Sequence, residues 1–303
     1  MVMDIIGHHK ERKMLRTSLG QGNIAQAYLF TGPRGIGKSL CALEFASLLA
    51  KEPDFEPSED KPHPFDVKIL RPLVETKRGV TKLRNISAEA VRESLGFLSH
   101  CPVSGGFRVL IIEDAHTLSE TAQNVLLKTL EEPQSTAVII LLTHEVGSML
   151  STVLSRVKRV RFDFVPEKIL FDAVASLYDE KELSQVAPFF FALGRPGMVL
   201  SALHDPAAFT LERELLGQLF RLSTLPLAER LSLAEKLGLH TERTVRLLEW
   251  WLPGLHRQAL LVKEKKGTVR FFALLDEVEK TMRLLKTTQS NARLLLEKIF
   301  LAV

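Results

Sequence analysis

The segment from Gly32 to Ser39 places the strongest constraint on this chain, because its sequence GPRGIGKS fits the phosphate-binding pattern G-x-x-x-x-G-K-[ST]. A short β-rich run precedes the segment and a helical pattern follows it, which is the context that the pattern requires. The alternative is a chance match in a glycine-containing turn, and the flanking strand and helix disfavour it. The segment therefore predicts an α/β domain that binds the phosphates of a nucleotide.

Each part of this loop has a chemical role. The glycines allow successive backbone N–H groups to face the phosphates, and the following helix adds the positive end of its dipole. We expect Lys38 to reach the outer phosphates and the Ser39 hydroxyl to bind Mg²⁺. The candidate nucleotide-binding residues of the loop are Gly32, Pro33, Arg34, Gly35, Ile36, Gly37, Lys38 and Ser39.

A second nucleotide motif is predicted where the apolar run Val109–Ile112 ends in Glu113 and Asp114. A strand that ends in an acidic residue is the usual position of the carboxylate that holds Mg²⁺. P-loop ATPases of this layout usually have Asp followed by Glu, and here the order is reversed. Glu113 is thus one methylene too long for the metal position, and Asp114 is one too short to polarise the attacking water. Because a displacement of ~1 Å can cost about a hundredfold in rate, we expect weak or absent ATP turnover. The alternative is that both carboxylates only end a strand and help to cap the next helix.

Two further polar residues follow candidate elements of this domain. Thr143 comes directly after the apolar run Val138–Leu142, where it either contacts the terminal phosphate or only ends a strand. Arg156 lies on a turn before another strand, where it is either a solvated surface residue or an arginine finger for the ATP site of a neighbouring subunit. The residues alone leave both alternatives open.

Short β-rich runs alternate with longer helical patterns from Ala27 to Phe164, and this alternation predicts a parallel sheet covered by helices. The predicted strands are Tyr28–Phe30, Asp66–Leu70, Val109–Ile112, Val138–Leu142 and Val160–Phe164. The predicted helices are Lys38–Ala50, Ala88–Ser99 and Ser119–Glu132. At the start of the last helix, Thr117 and Glu120 fit a capping box.

The strand-like runs stop after Pro166, and the rest of the chain reads as amphipathic helices broken by proline and glycine. We therefore expect a P-loop domain over residues 1–164, a small helical domain over 165–205 and an all-helical domain over 206–303. Residues 51–64 contain four prolines and are predicted to form a loop or linker. Residues 206–303 hold 16 Lys and Arg against 11 Asp and Glu, and a solvated surface explains this excess as well as contact with DNA does.

Composition and patterning exclude several classes of protein. The longest wholly apolar stretch is the six residues Ala137–Leu142, far short of the ~20 residues that a membrane span needs. The first residues lack the apolar stretch of a secretory signal. The two cysteines, Cys41 and Cys101, provide no disulfide framework. We expect a cytoplasmic protein without membrane contact.

The order of these pieces resembles the AAA+ clamp-loader family, and among its members most closely the delta-prime subunits of bacterial DNA polymerase III. The likeness is carried by the segments Asp4–Gly7, Ala27–Pro33, Asn124–Pro133, Thr152–Val157 and Gln289–Glu297. The third of these reads NVLLKTLEEP and nearly repeats the family's NALLKTLEEP. The fourth resembles the family segment that ends in Ser-Arg-Cys, with Val157 in place of the cysteine.

The resemblance implies an α/β P-loop AAA+ domain, a helical lid and an all-helical collar that is the main oligomerisation surface. It implies a hetero-pentamer with motor and clamp-opening subunits, which loads a sliding clamp onto primed DNA during replication. In that family the arginine of the Ser-Arg-Cys segment enters the ATP site of the adjacent motor subunit, and this role falls on Arg156. The chain is then a stator within a DNA-directed DNA polymerase holoenzyme. ATP and Mg²⁺ are the cofactors if nucleotide is bound, with Ser39 and Glu113 as metal ligands, Thr143 near the nucleotide and Asp114 at the degenerate water-polarising position.

Three departures from the family pattern refine this expectation. The motor subunits begin with Tyr-Arg-Pro and carry Asp-Glu at the second motif; both are missing here, which favours a delta-prime subunit over a motor. Many relatives hold a four-cysteine zinc module after the P-loop helix, whereas residues 51–64 contain no cysteine, so we expect no zinc. The lid of an active family member offers an arginine to the nucleotide, and that place falls on Gly197, with Arg195 out of register.

Two other functions compete with the stator. An active AAA+ ATPase, either a clamp-loader motor or a remodeller in DNA repair, would account for the complete loop from Gly32 to Ser39. A small P-loop kinase would account for the loop as well, but it leaves the match at Asn124–Pro133 and the helical C-terminal half without a role.

Overall fold

The computed structural model describes residues 5–52, 65–77, 80–183, 193–205, 207, 209–261, 265–287 and 290–302. The chain forms two compact units, one of residues 1–173 with 194–197 and one of residues 174–193 with 198–303. The expected three-part division, with boundaries after residues 164 and 205, stays a prediction. Most of the predicted linker at 51–64, and Gln289 of the last family segment, lie outside the described residues.

The first unit is built on a five-stranded parallel sheet. Its strands are β1 (Ala27–Thr31), β2 (Val67–Leu70), β5 (Arg108–Ile112), β6 (Ala137–Thr143) and β7 (Lys158–Arg161). They lie in the order β2-β5-β6-β1-β7, and Thr31 at the end of β1 is level with Thr143 on one side and Arg161 on the other. An antiparallel hairpin, β3 (Val74–Lys77) and β4 (Val80–Leu83), forms a separate small sheet. The carboxyl ends of β1, β5 and β6 therefore meet at one edge, the place where ligands bind in parallel sheets.

Helices cover both faces of this sheet. They are α1 (His9–Gly20), α2 (Lys38–Leu49), α3 (Ala88–Leu98), α4 (Glu120–Glu131) and the short α5 (Ser151–Leu154). All of β6 is buried, with Val138, Ile140 and Leu142 in one core and Ile139 and Leu141 in the other. Alternate residues of a strand point to opposite faces, so a central strand covered on both sides must be apolar throughout.

The five predicted strands and three predicted helices of this region all form, most with ends that differ by one residue from the prediction, and two predictions need a larger correction. Strand β7 spans Lys158–Arg161 and not Val160–Phe164. It starts earlier than predicted because only Val160 is buried in this edge strand and its charged neighbours hide the strand from an apolar pattern. It ends before Phe162 and Phe164, which continue the apolar alternation in the sequence but follow the strand. The predicted capping box was wrong. Ser119 is the cap, since its side chain accepts a hydrogen bond from Ala122 N, whereas Thr117 ends a separate turn of 3₁₀ helix at Ala115–Thr117.

The second unit is helical. The helices that follow β7 in the chain are α6 (Glu167–Ala175), α7 (Glu180–Leu183), α8 (Pro196–His204), α9 (Thr210–Phe220), α10 (Leu227–Gly238), α11 (Thr241–Leu261), α12 (Lys265–Thr287) and α13 (Ala292–Ala302). Two of these helices, α6 and α8, contain residues of both units. Helix α11 packs on α12 and α10 on α13. Trp251 is 1% exposed and lies in the core, and Ile299 and Phe300 are buried, whereas Leu294 is 63% exposed. None of the described helices is long and apolar enough to cross a membrane.

Candidate nucleotide-binding site

The loop from Gly32 to Ser39 connects β1 to α2 in a conformation that only glycine adopts easily. Gly32, Gly35 and Gly37 have φ values of 147°, 76° and 98°, a region that costs other residues about 1–2 kcal/mol. A Cβ on Gly32 would lie 2.2 Å from the Phe162 carbonyl oxygen. The glycine pattern in the sequence thus has a direct steric cause in the fold.

The carbonyl groups of the loop are held by donors from the same chain. The Lys38 ammonium donates to Gly32 O at 2.8 Å and to Pro33 O at 2.7 Å. The Arg34 carbonyl accepts a hydrogen bond from the Arg195 guanidinium at 2.9 Å, and the Gly35 carbonyl accepts one from the Gly197 N–H at 2.9 Å. The Ile36 carbonyl accepts one from His8 Nε2 at 2.7 Å. The carbonyl oxygens of the loop thus accept hydrogen bonds from this chain, and the backbone N–H groups of the loop are the groups that can donate to phosphate oxygens.

Lys38 begins α2 and lies next to other cations. Burial is the main cause that lowers the pKa of its ammonium group to about 8; Arg195 and Arg34 add to this effect and Asp114 opposes it. A bound phosphate would stabilise the charged lysine. The electrostatics of the loop therefore fit a polyanion such as the triphosphate of ATP.

Two residues that hold the loop gave no clear signal in the sequence. His8 is buried, packs edge-on against Phe162 with ring centroids 5.1 Å apart, and has a pKa lowered chiefly by burial. Arg195 is 4% exposed and stacks over the Phe164 ring at 5.5 Å. Arg195 was expected to be out of register for the nucleotide, yet its contact with Arg34 O ties it to the phosphate-binding loop. Such long-range contacts are visible only in the fold.

Glu113, the predicted Mg²⁺ ligand, pairs with an arginine. It follows β5, and its carboxylate accepts hydrogen bonds from Arg71 Nε at 2.9 Å and from Arg71 Nη2 at 3.5 Å. Arg71 directly follows β2, the strand adjacent to β5. The Glu113 carboxylate, which was expected to bind Mg²⁺, thus forms a two-point ion pair with Arg71 at the edge of the sheet.

Unlike Glu113, which pairs with Arg71, Asp114 directs its carboxylate toward Arg34 of the phosphate-binding loop. Its φ is 45°, and its carboxylate lies 3.6 Å from Arg34 Nη2 and 3.6 Å from His144 Nδ1. The interaction with His144 is the largest cause that holds the pKa of Asp114 below its ordinary value, against burial. His116 Nδ1 lies 4.0 Å from the same carboxylate, and burial, reinforced by His144, lowers the pKa of His116 to about 4.

Thr143 is the last residue of β6, lies beside Thr31 of β1, and is buried. Its hydroxyl donates to Glu145 O at 3.1 Å and accepts from Glu145 N at 3.0 Å. Ser39 lies in the first turn of α2 and is partly buried. The structure thus brings both residues to the carboxyl edge of the sheet; their contact with nucleotide and metal remains a prediction.

Arg156 lies on the surface after α5. Its Nη2 is 2.7 Å from a carboxylate oxygen of Glu131 at the end of α4, and its Nη1 donates to Thr152 O at 2.9 Å. The side chain is 36% exposed. An exposed arginine of this kind is available to a neighbouring molecule once it exchanges Glu131 for another anion.

A family model described as DNA polymerase III, delta subunit matches residues 7–166, which is more than half of the chain. The chain belongs to this family. It is a member of the clamp-loader family of DNA polymerase III subunits, as the resemblance predicted, and it has the AAA+ fold.

Individual relatives cover part of the chain. The tau subunit of DNA polymerase III from Bacillus subtilis is 30% identical over an alignment of 188 residues, and the match covers 59% of this chain and 32% of the relative. The delta' subunit from Pseudomonas aeruginosa is 34% identical over an alignment of 148 residues, and the match covers 45% of this chain and 43% of the relative. The chain thus spans about a third to a half of the length of the curated relatives that it matches.

One solved structure resembles the chain over almost its whole length. It is a DNA polymerase III gamma subunit-related protein from Thermotoga maritima, with a TM-score of 0.50, 19% identity and coverage of 98% of each chain. At this identity the likeness concerns the fold.

Proposed function

We propose that the chain is a delta-prime-like stator of the DNA polymerase III clamp loader. In this proposal it assembles with motor and clamp-opening subunits in a cytoplasmic hetero-pentamer that loads the sliding clamp onto primed DNA. Its own ATPase activity is weak or absent, and it supplies Arg156 in trans to the ATP site of a motor subunit. The family membership supports the setting, and two features of the first unit support the specific role.

The observation that carries the proposal is the state of the two carboxylates at the second nucleotide motif. Glu113 is bound by the Arg71 guanidinium, and Asp114 is held by Arg34 and His144. Hydrolysis of ATP needs one carboxylate for Mg²⁺ and a group that orients the attacking water. Neither carboxylate is available for these tasks without breaking an existing ion pair, and the reversed order of the residues adds a mismatch in length.

Arg156 supports the second half of the proposal. It is exposed, it is oriented by Glu131 and by the carbonyl of Thr152, and it lies on a surface turn. An arginine finger is worth about 10³–10⁵ in rate at the site that receives it, because it stabilises charge that develops on the transferred phosphoryl group. An exposed ion pair contributes at most about 1 kcal/mol, so exchange of Glu131 for a nucleotide phosphate is not costly.

The intact phosphate-binding loop favours the second candidate, an active AAA+ ATPase. The positive φ values of its glycines and the place of Lys38 at the start of α2 support phosphate binding by this loop. A stator that binds ATP without hydrolysing it would show the same loop. Turnover therefore separates the two functions, and binding of nucleotide does not.

The test is ATP hydrolysis by the isolated full chain, with Lys38→Ala as the control for contaminating activity. The stator predicts turnover equal to that of the control. Turnover clearly above the control would assign the chain to the active ATPases. A further control, Lys10→Ala on the surface of α1, should leave the measured rate unchanged.

A further inference from the structure

Three side chains with metal-ligating atoms come together beside the phosphate-binding loop. They are Asp114, His116 and His144, and one ligand atom from each lies within 4.8 Å of the other two. The His116 and His144 rings meet edge to face with centroids 4.1 Å apart. None of the three is fully buried: their side chains are 28%, 13% and 17% exposed.

The fold holds these three positions firmly. Asp114 follows β5, and its carbonyl accepts hydrogen bonds from both the N–H and the hydroxyl of Thr117, each at 2.8 Å. His144 follows β6, and its two chain neighbours are joined by hydrogen bonds. The Thr143 hydroxyl donates to the carbonyl of Glu145 and accepts from the N–H of Glu145. The ligand atoms are thus carried by two short turns at the ends of adjacent buried strands, and rigid support of this kind is what a metal site requires.

The distances are close to those of a coordination sphere. Bonds of about 2.1 Å to imidazole nitrogen and carboxylate oxygen place two ligands of a tetrahedral ion about 3.4 Å apart. His144 Nδ1 is 3.6 Å and His116 Nδ1 is 4.0 Å from Asp114 Oδ1. Small side-chain rotations would bring the three atoms onto one ion. Within the described part of the chain, His116 Nδ1 is buried and has no hydrogen-bond partner, so a ligand there would satisfy an otherwise isolated polar atom.

We propose that Asp114, His116 and His144 bind one divalent transition-metal ion, of the class of Zn²⁺ or Co²⁺. Two imidazoles and one carboxylate suit such ions better than Mg²⁺ or Ca²⁺, which prefer oxygen ligands alone. Three protein ligands leave one position open to water or another oxygen. This site differs from the four-cysteine module of the family, and zinc bound there would correct the expectation that the chain holds no zinc.

Arg34 provides an internal control for the proposal. Its Nη2 lies 3.6 Å from Asp114 Oδ2, so it competes for the carboxylate and adds positive charge beside the ion. Removal of this charge should strengthen metal binding, whereas removal of an imidazole should weaken it. A merely structural effect of substitution would not change sign in this way.

The test is a titration of the untagged, chelator-treated full chain with Co²⁺ alone, without nucleotide, followed by its visible absorption and by calorimetry. We expect one ion per chain and absorption bands of a low-coordinate site. His116→Ala and His144→Ala should each weaken binding at least tenfold, Arg34→Gln should tighten it, and His100→Ala, an exposed histidine away from the cluster, should leave it unchanged. Added Zn²⁺ should displace the Co²⁺ and abolish the bands.

Circular dichroism shows whether each variant is folded, and the gain in Arg34→Gln does not depend on a destabilised variant. The proposal is overturned if the wild-type chain binds no Co²⁺ at micromolar concentration. It is also overturned if folded His116→Ala and His144→Ala bind as tightly as the wild type. The result is independent of ATP turnover, so it stands or fails separately from the stator.

Discussion

Gly32 is the glycine whose replacement tests the account of the phosphate-binding loop most simply. Its φ is 147°, and a Cβ added there would lie 2.2 Å from Phe162 O and 2.9 Å from Ile36 Cδ1. Phe162 is fixed in turn, because its N–H donates to Thr31 O at 2.8 Å. In the Gly32→Ala variant the loop or the end of β7 must therefore move.

The size of the effect follows from two contributions. The backbone conformation costs an alanine about 1–3 kcal/mol, and the overlap with a backbone oxygen adds about 1–3 kcal/mol. The Gly32→Ala chain should lose about 2–6 kcal/mol in the free energy of unfolding. At roughly 2–4 °C per kcal/mol for a unit of this size, the melting temperature of the first unit should fall by about 4–24 °C.

Two matched glycines separate the contributions. Gly22 has a φ of 67° and nothing within 4 Å of an added Cβ, so Gly22→Ala should cost only about 1–2 kcal/mol of backbone strain. Gly20 has open space and an ordinary φ, so Gly20→Ala should be neutral or stabilising by up to about 1 kcal/mol. The assay is thermal and guanidinium unfolding followed by circular dichroism. A Gly32→Ala chain that is as stable as the Gly22→Ala chain would refute the steric argument.

Three further predictions concern charge and packing. Because burial lowers the pKa of Lys38 to about 8, the unfolded chain binds more protons than the folded chain between about pH 8 and 10.5. The free energy of unfolding of the wild type should therefore rise with pH in this window, by up to about 3 kcal/mol relative to Lys38→Met. Guanidinium titrations at several pH values across the window measure this rise. Asp66 is fully buried, and its carboxylate accepts hydrogen bonds from the N–H groups of Val103 at 2.9 Å and Ser104 at 2.8 Å. Asp66→Ala should therefore lower the free energy of unfolding by about 3–5 kcal/mol, whereas Asp163→Ala, at an exposed position, should lower it by less than about 1 kcal/mol. Equal losses in the two variants would contradict this. Trp251 is 1% exposed, so Trp251→Ala should cost about 3–5 kcal/mol, and a loss below 1 kcal/mol in the same unfolding assay would mean that the helical unit is not packed around it.

The five strands of the parallel sheet and the helices α2, α3 and α4 were predictable because local patterns encode them, whereas α1, the β3–β4 hairpin and the short α5 were not predicted. The glycine loop requires positive φ values, and β6 requires a continuous apolar run since it is covered on both faces. Strand β7 was less visible, because Val160 is its only buried residue and the apolar signal of an edge strand is correspondingly weak. The capping error at Thr117 arose because two hydroxyl residues precede the helix, and Ser119 has the geometry that a cap needs.

The candidate site was predictable only where one motif holds its residues. Lys38 and Ser39 follow from the loop, and Glu113 with Asp114 from the strand before them. The partners of these groups are distant in sequence: Arg71 for Glu113, and His144 for Asp114. No spacing rule links them, and they are brought together by the order of the strands in the sheet.

The measurement that tests the stator most directly is the activity of a reconstituted clamp loader that contains Arg156→Ala. The matched control is Arg161→Ala, which removes an exposed arginine of the same unit that pairs with Asp163. The account predicts that Arg156→Ala slows clamp loading and ATP turnover of the complex at least about tenfold, while assembly of the complex and the Arg161→Ala control stay at the wild-type level. Full activity of the assembled Arg156→Ala complex would contradict the account.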